Sequence, residues 1–270
     1  MKSMLKLISF GSGSSGNSYF LYTEQEGLLI DCGVGVRTFK KHFREYGLSL
    51  SNITDIIITH DHADHIKSVG SLSKELHIPV YASLKVHQGI DQNYCVKCKI
   101  QPEQVKIIEK GMPFNVRDFR ITPFGVPHDS SENIGYKIQH DNLVFCIMTD
   151  IGHVTDEMKA MIGEANYLII EANHDEDMLQ NGPYPGHLKA RIAGPYGHLS
   201  NRECGTVLAE NATAKLKHVW LCHLSDENNH PTLTRKTVEQ ILRSYGIIPG
   251  VDFQMDVLRR KVPSEIYELT

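Results

Sequence analysis

The chain is expected to fold as a layered α/β protein, and three observations carry that expectation. Short apolar or β-branched runs alternate with segments of helical periodicity along the whole length. Hydrophobic residues make up 41% and charged residues 22% of 270 residues, the balance of a globular protein long enough to bury a core without covalent staples. No linker, solenoid-length repeat or low-complexity tract interrupts the alternation. A single domain over residues 1–270 with two similar strand-rich halves is therefore expected.

The elements follow in order. Leu5 to Phe10 reads as a short apolar strand, followed by the turn-rich loop Gly11-Ser12-Gly13-Ser14-Ser15-Gly16-Asn17-Ser18. Ser18 to Thr23 and Gly27 to Asp31 read as a hairpin around Glu24-Gln25-Glu26. Arg37 to Tyr46 has a helical pattern closed by Gly47. Ile53 to Thr59 is a β-branched run suited to a buried strand. A helix from Ser68 to Leu76 and a short strand from Pro79 to Ala82 come next. In the second half Phe119 to Val126, Ile134 to Ile138, Leu143 to Met148, Tyr167 to Glu171 and His218 to Cys222 read as strands. Thr155 to Ile162, Asn201 to Ala214 and Thr234 to Tyr245 read as helices, and the Gly-, Pro- and His-rich stretch 174–200 as a long functional loop.

Bulk properties narrow the class of function. The net charge of −4 gives no whole-protein basic field for nucleic acid or anionic membrane, although a local basic patch beside metals can hold a phosphate. Apolar runs such as Leu143 to Met148 are far too short to span a bilayer. The start, Met1 to Phe10, is too short and interrupted for a secretory signal. Six cysteines, of which only Cys95 and Cys98 are close, form neither a disulfide framework nor a zinc knuckle and read as ordinary thiols of a reducing cytoplasm.

Histidine is the unusual residue, with 15 copies. His60, His62, Asp64 and His65 crowd one loop directly after the Ile53–Thr59 run. Imidazole and carboxylate are the donors that zinc, manganese or iron accept. Four such side chains exceed what one site with an open position needs, so they imply two metals with an activated water.

The pattern H-x-H-x-D-H after a hydrophobic strand resembles the metallo-β-lactamase superfamily, and the likeness runs over nearly the full chain. That resemblance implies a four-layer αββα sandwich. It implies that His60, His62 and His128 hold a first metal, that Asp64, His65 and His223 hold a second, and that Asp150 bridges them. Asp31 matches an Asp that supports the histidine loop from behind the ligands. An Asp rather than a Cys at position 150 suits harder metals and ester hydrolysis. The cofactors implied are two divalent ions, zinc or manganese, with iron as an option.

Two further segments bear on the substrate. Glu171-Ala172-Asn173-His174-Asp175 and Gly197-His198-Leu199-Ser200-Asn201 resemble RNase Z, which implies His198 as the proton donor to the leaving oxygen and Glu171 as the group that orients it. Asp64 would orient the nucleophile. Together with the Gly/Ser loop, these segments resemble the YycJ (WalJ) family, which implies a DNA exonuclease acting 5′-to-3′ on duplex DNA. Ser14, Ser15 and Asn17 could offer phosphate contacts, although a simple tight turn explains that loop equally well. Lys189 and Arg191 are candidate phosphate contacts in a cluster with Arg202, Tyr184 and Tyr196; Arg259, Arg260 and Lys261 read rather as solvated surface. The chain is too short for an inserted cap domain and lacks a long tRNA-gripping arm. The alternatives are a small-molecule phosphodiesterase or a thioester or lactone hydrolase of the same superfamily and, more remotely, a non-catalytic nucleic-acid scaffold. DNA is the expected partner, with no membrane.

Overall fold

The computed structural model describes residues 4–270; Met1 to Ser3, part of the segment read against a signal, lie outside the described residues. The chain divides into two compact units. One holds the chain up to Arg117 together with Ser130–Glu132 and Arg259–Thr270, and the other holds Asp118–Asp129 and Asn133–Leu258.

The first unit is built on a sheet of seven strands. These are β1 (Leu5–Gly11), β2 (Ser18–Tyr22), β3 (Gly27–Ile30), β4 (Asp55–Ile57), β5 (Val80–Ala82), β6 (Val105–Ile107) and, from the far end of the chain, β14 (Tyr267–Leu269). Their order is β14-β1-β2-β3-β4-β5-β6. The expected hairpin is present, with β2 and β3 antiparallel and Phe20 opposite Leu29. From β3 onward the strands are parallel, with Ile30 beside Ile57. A parallel sheet needs crossover helices, and α1 (Val36–Glu45) supplies one between β3 and β4. Its Phe39 and Phe43, one turn apart, bury fully against Phe10 and Phe20, with ring centroids 4.6–5.2 Å apart. Each such ring contributes roughly 1.5–3 kcal/mol by leaving water.

Three further helices complete the unit: α2 (Ala63–Ile66), α3 (Val69–Leu76) and α4 (Leu84–Gln92). α3 matches the expected helix to one residue. Neither α2 nor α4 was anticipated. α4 starts because the Ser83 side chain accepts from the Val86 N–H, a local cap that composition hides. β7 (Phe114–Val116) lies at the end of this segment, with Phe114 stacked on Tyr81.

The second unit carries β8 (Phe119–Gly125), β9 (Ile134–His140), β10 (Leu143–Met148), β11 (Tyr167–Glu171), β12 (His218–Cys222) and β13 (Gln254–Val257). They run in the order β13-β12-β11-β10-β9-β8. β8 and β9 form an antiparallel pair, whereas β10, β11, β12 and β13 are mutually parallel. The crossovers use α5 (Asp156–Glu164), α6 (Glu176–Asn181), α7 (Gly186–Ile192), α8 (Asn201–Asn211) and α9 (Pro231–Ser244). Met158, Ile162, Cys204, Leu208, Val238 and Leu242 from these helices pack in one buried cluster with Cys146, Met148, Leu168, Ile170, Val219 and Leu221 of the strands. Every residue of β11 is buried, as expected of a central parallel strand.

Stretch 174–200 departs from the expected loop, because it contains α6 and α7. The Asp175 side chain accepts from the Met178 N–H and starts α6, and Pro185 stands at the cap of α7. Both helices are short, which is why their periodicity does not register. Each unit is thus a mixed sheet, antiparallel toward one side and parallel toward the other, with helices in its crossovers, which is an α/β architecture. Among the described residues no helix is long and apolar enough to cross a membrane.

Candidate functional site

In each unit the chemistry-bearing side chains stand at the carboxyl ends of parallel strands, where α/β sheets habitually place ligands. Asp31 follows β3 and the histidine loop follows β4 in the first unit; Asp150, Glu171 and His223 close β10, β11 and β12 in the second. Asp31, Asp150 and His223 have φ of 60°, 57° and 54°, the left-handed region that costs a non-glycine residue energy. Three such residues at three strand exits are held there by the surrounding structure, a pattern typical of functional sites.

In the first unit Asp31 is fully buried and accepts three hydrogen bonds. Its Oδ1 takes the Thr59 N–H at 2.8 Å, and its Oδ2 takes the Thr59 hydroxyl at 2.8 Å and His65 Nδ1 at 2.7 Å. A carboxylate on Nδ1 fixes the proton there and presents Nε2 as the nitrogen for a metal. Asp31 thus ties the histidine loop to the end of β3 through Thr59 and His65. The histidine loop is not wholly irregular: α2 gives Asp64 and His65 one helical turn, closed by His65 N–H on the His62 carbonyl at 2.9 Å. The His60 ring lies 4.7 Å from that of His62 and 4.1 Å from that of His65, and Asp64 Oδ2 is 3.6 Å from His65 Nε2.

Gly33 lets this turn close. A Cβ there would stand 1.6 Å from the Asp64 carbonyl oxygen, so only glycine fits. Asn17 is fully buried behind the same turn. Its N–H donates to the Asp64 carbonyl at 2.7 Å, and its amide nitrogen is 3.2 Å from Asp64 Oδ2 and 2.9 Å from His65 Nε2. The N–H groups of Ser12, Gly13, Gly16 and Asn17 are all bonded within the unit. Ser14 and Ser15 are exposed at the tip of this loop. Ser12 donates to the Arg259 carbonyl at 3.1 Å, which brings the C-terminal basic trio beside the loop.

In the second unit His128 Nδ1 donates to the Gly197 carbonyl at 2.9 Å, which places that ring proton on Nδ1. His128 Nε2 stands 3.7 Å from Asp150 Oδ1. Donor atoms of Asp150, Glu171, His198 and His223 lie within 4.8 Å of one another. Glu171 organises them. It is fully buried; Oε1 accepts from His198 Nδ1 at 2.9 Å and His223 Nδ1 at 2.8 Å, and Oε2 accepts from the N–H groups of Ile151 at 2.7 Å and Leu199 at 3.0 Å. Burial by itself raises its pKa, but the charge and hydrogen bond of His198 and the hydrogen bond of His223 outweigh it and hold the carboxyl below the usual carboxylate range. For His198, burial lowers the pKa, while the Glu171 charge and hydrogen bond and the Asp150 charge win and raise it.

Several supporting residues escaped sequence reasoning. Asn133 donates to the Thr149 and Asp150 carbonyls at 3.0 and 2.9 Å, and the Thr149 hydroxyl donates to Asp150 Oδ2 at 2.8 Å. Asn173 donates to the His223 carbonyl at 2.8 Å, and Asn229 donates to the Ala172 and Asn173 carbonyls, both at 3.0 Å. Asn173 sits inside the E-A-N-H-D segment, the one signal that could have found it. Of the basic candidates, Lys189 Nζ donates to the Gln180 carbonyl at 2.7 Å, Arg191 pairs with Asp129, and Arg202 pairs with Glu176. All six cysteines are free thiols, with Cys95 and Cys98 half-buried.

These donor sets fit divalent metals: buried imidazoles with Nδ1 on oxygen acceptors, and carboxylates beside them. The profile of the beta-lactamase superfamily domain matches residues 27–223, and the chain belongs to that superfamily. Within it, the chain is 34% identical over 255 residues to exodeoxyribonuclease YycJ of Bacillus anthracis, covering 94% of this chain and 96% of that one. It is likewise 34% identical over 244 residues to exodeoxyribonuclease WalJ of Streptococcus pneumoniae serotype 2, covering 90% of each. The solved metallo-beta-lactamase fold protein YhfI from Bacillus subtilis matches with a TM-score of 0.73 at 18% identity, over 99% of this chain and 100% of that one, a likeness of fold.

Proposed function

We propose that this chain is a metal-dependent phosphodiester hydrolase, a DNA exonuclease working 5′-to-3′ on duplex DNA, and that its two units act as one metallo-β-lactamase-like domain over residues 1–270. His60, His62 and His128 would hold one divalent ion and Asp64, His65 and His223 the other, with Asp150 shared. Zinc or manganese suits this mixture of nitrogen and oxygen donors, and iron can substitute. When bound, such a pair supplies the Lewis acidity that makes water a nucleophile at neutral pH and offsets charge on the phosphate.

The chain's own groups do the rest. Asp31 and Glu171 orient the imidazoles by holding Nδ1 of His65 and of His223. Asp64 positions the attacking water. His198 gives its Nε2 proton to the leaving oxygen, while Glu171 holds the Nδ1–H, orients the ring and favours the protonated imidazolium. Ser14, Ser15 and Lys189 face the substrate backbone, with Asn17 bracing the loop behind them. Arg191 serves there if the phosphate shares it with Asp129.

The observation that carries this reading is the buried Glu171 carboxylate on His198 Nδ1, which sets an oriented proton donor where a leaving alkoxide needs an acid. The names of the two bacterial relatives, both exodeoxyribonucleases, support DNA as the substrate. His198→Ala tests it. Turnover should fall by roughly 10²–10⁴-fold while elemental analysis still finds the full metal content. Full nuclease rate in the variant would overturn the acid assignment.

A further inference from the structure

The second unit contains a cleft of about 410 Å³ between α6 and α7, lined by His174, Glu176, Leu179, Gln180, Lys189 and the small residues of α7. That volume lies within the roughly 300–1,000 Å³ of small-molecule sites. Gly186, Ala190 and Ala193 recur at helical spacing along this wall. None carries a side chain longer than a methyl, and the space beside Gly186 is open. The wall is therefore flat and apolar.

His174 forms the polar end. It is only 3% exposed, and its Nδ1 is enclosed without a hydrogen-bond partner. A buried polar atom left this way is unfavourable unless a ligand meets it. Burial also pushes the His174 pKa down, so the ring is neutral and can donate from one nitrogen and accept at the other. The cleft adjoins the catalytic pair through the backbone: His174 lies three residues beyond Glu171 and bridges to Ser200, two residues beyond His198.

We propose that this cleft receives a nucleobase of the DNA strand being cut, stacked on the Gly186–Ala190–Ala193 wall with its edge hydrogen-bonded to His174. The inference rests on the phosphodiesterase reading above and gives that site a base subsite. A bare phosphate fits the cleft poorly, because Glu176 lines it and His174 is uncharged. Glu176 is held in place by Ser200 Oγ at 3.2 Å and Arg202 Nε at 3.0 Å. Lys189 ties α7 to α6 through the Gln180 carbonyl and stands at the rim, where the neighbouring phosphate would pass.

The test uses the full chain loaded with metal and a set of end-labelled oligonucleotides, each with one abasic position walked along the strand. In the wild type, one position near the cut end should lose about tenfold in kcat/KM when its base is removed, the size of one buried hydrogen bond lost together with contact to the apolar wall. Ala190→Leu fills the slot at an exposed helical position that tolerates leucine. In that variant, and in His174→Ala, removing the same base should cost no more than about twofold. A wild type indifferent to every abasic position, or variants as sensitive as the wild type, would overturn the base subsite while leaving the exonuclease reading intact. A wild type that cleaves none of the oligonucleotides would overturn both.

Discussion

Replacing Asp31 by Asn isolates the hydrogen-bond chemistry behind the histidine loop. Asparagine has the same shape and tolerates the left-handed backbone at φ 60°, so no strain is added. What changes is one oxygen into an amide nitrogen. The native carboxylate accepts the Thr59 N–H on Oδ1, and His65 Nδ1 and the Thr59 hydroxyl on Oδ2. With the amide nitrogen toward His65, two N–H donors meet, and the imidazole must move its proton to Nε2, the nitrogen required by the metal. With the amide turned over, the Thr59 N–H loses its acceptor in a fully buried position. Either way one buried donor is opposed, at about 1–3 kcal/mol. Loss of such a partner behind a ligating His lowers metal affinity roughly 10–100-fold, or about 1.4–2.7 kcal/mol. Competition against a chromogenic zinc chelator measures this directly, with circular dichroism as the check on folding. A folded variant whose affinity stays within about twofold of the wild type would refute the proposed link from Asp31 through His65 to the metal.

Two other perturbations probe neighbouring parts. Glu171→Gln removes the charge that raises the His198 pKa, so the protonated acid is lost at lower pH and the alkaline limb of kcat/KM should move down in pH; an unmoved limb would separate His198 from the proton transfer. Gly33→Ala places a methyl 1.6 Å from the Asp64 carbonyl oxygen and 2.7 Å from Asn17 N, so thermal unfolding should show a loss of about 1–3 kcal/mol. A melting temperature equal to the wild type's would mean that this turn yields without strain.

The sequence made the strands and the ligand types legible for a physical reason. Buried parallel strands such as Leu143–Met148 and Tyr167–Glu171 must be apolar throughout, and polar donors at their carboxyl ends stand out against them. The histidine loop was visible because its donors are contiguous. The turn of α2 inside it was not, since four residues carry no periodicity. α6 and α7 were hidden by glycine and proline, which cap short helices as readily as they break long ones. Asn133, Asn173 and Asn229 were missed because their work is done on backbone carbonyls distant in sequence, and no spacing rule reports that. The base slot was equally silent: alanines on a short helix gain meaning only once His174 is seen buried beside them.

The central claim is that a metal-loaded form of this chain hydrolyses DNA phosphodiesters from an end. Cleavage of duplex DNA labelled at the 5′ or the 3′ end, after reconstitution with zinc, manganese or iron, tests it most directly, with Asp150→Ala as the control. The account predicts stepwise release of nucleotides from the 5′ end by the wild type and none by Asp150→Ala. No cleavage with any of the metals, or undiminished cleavage by the Asp150 variant, would contradict it.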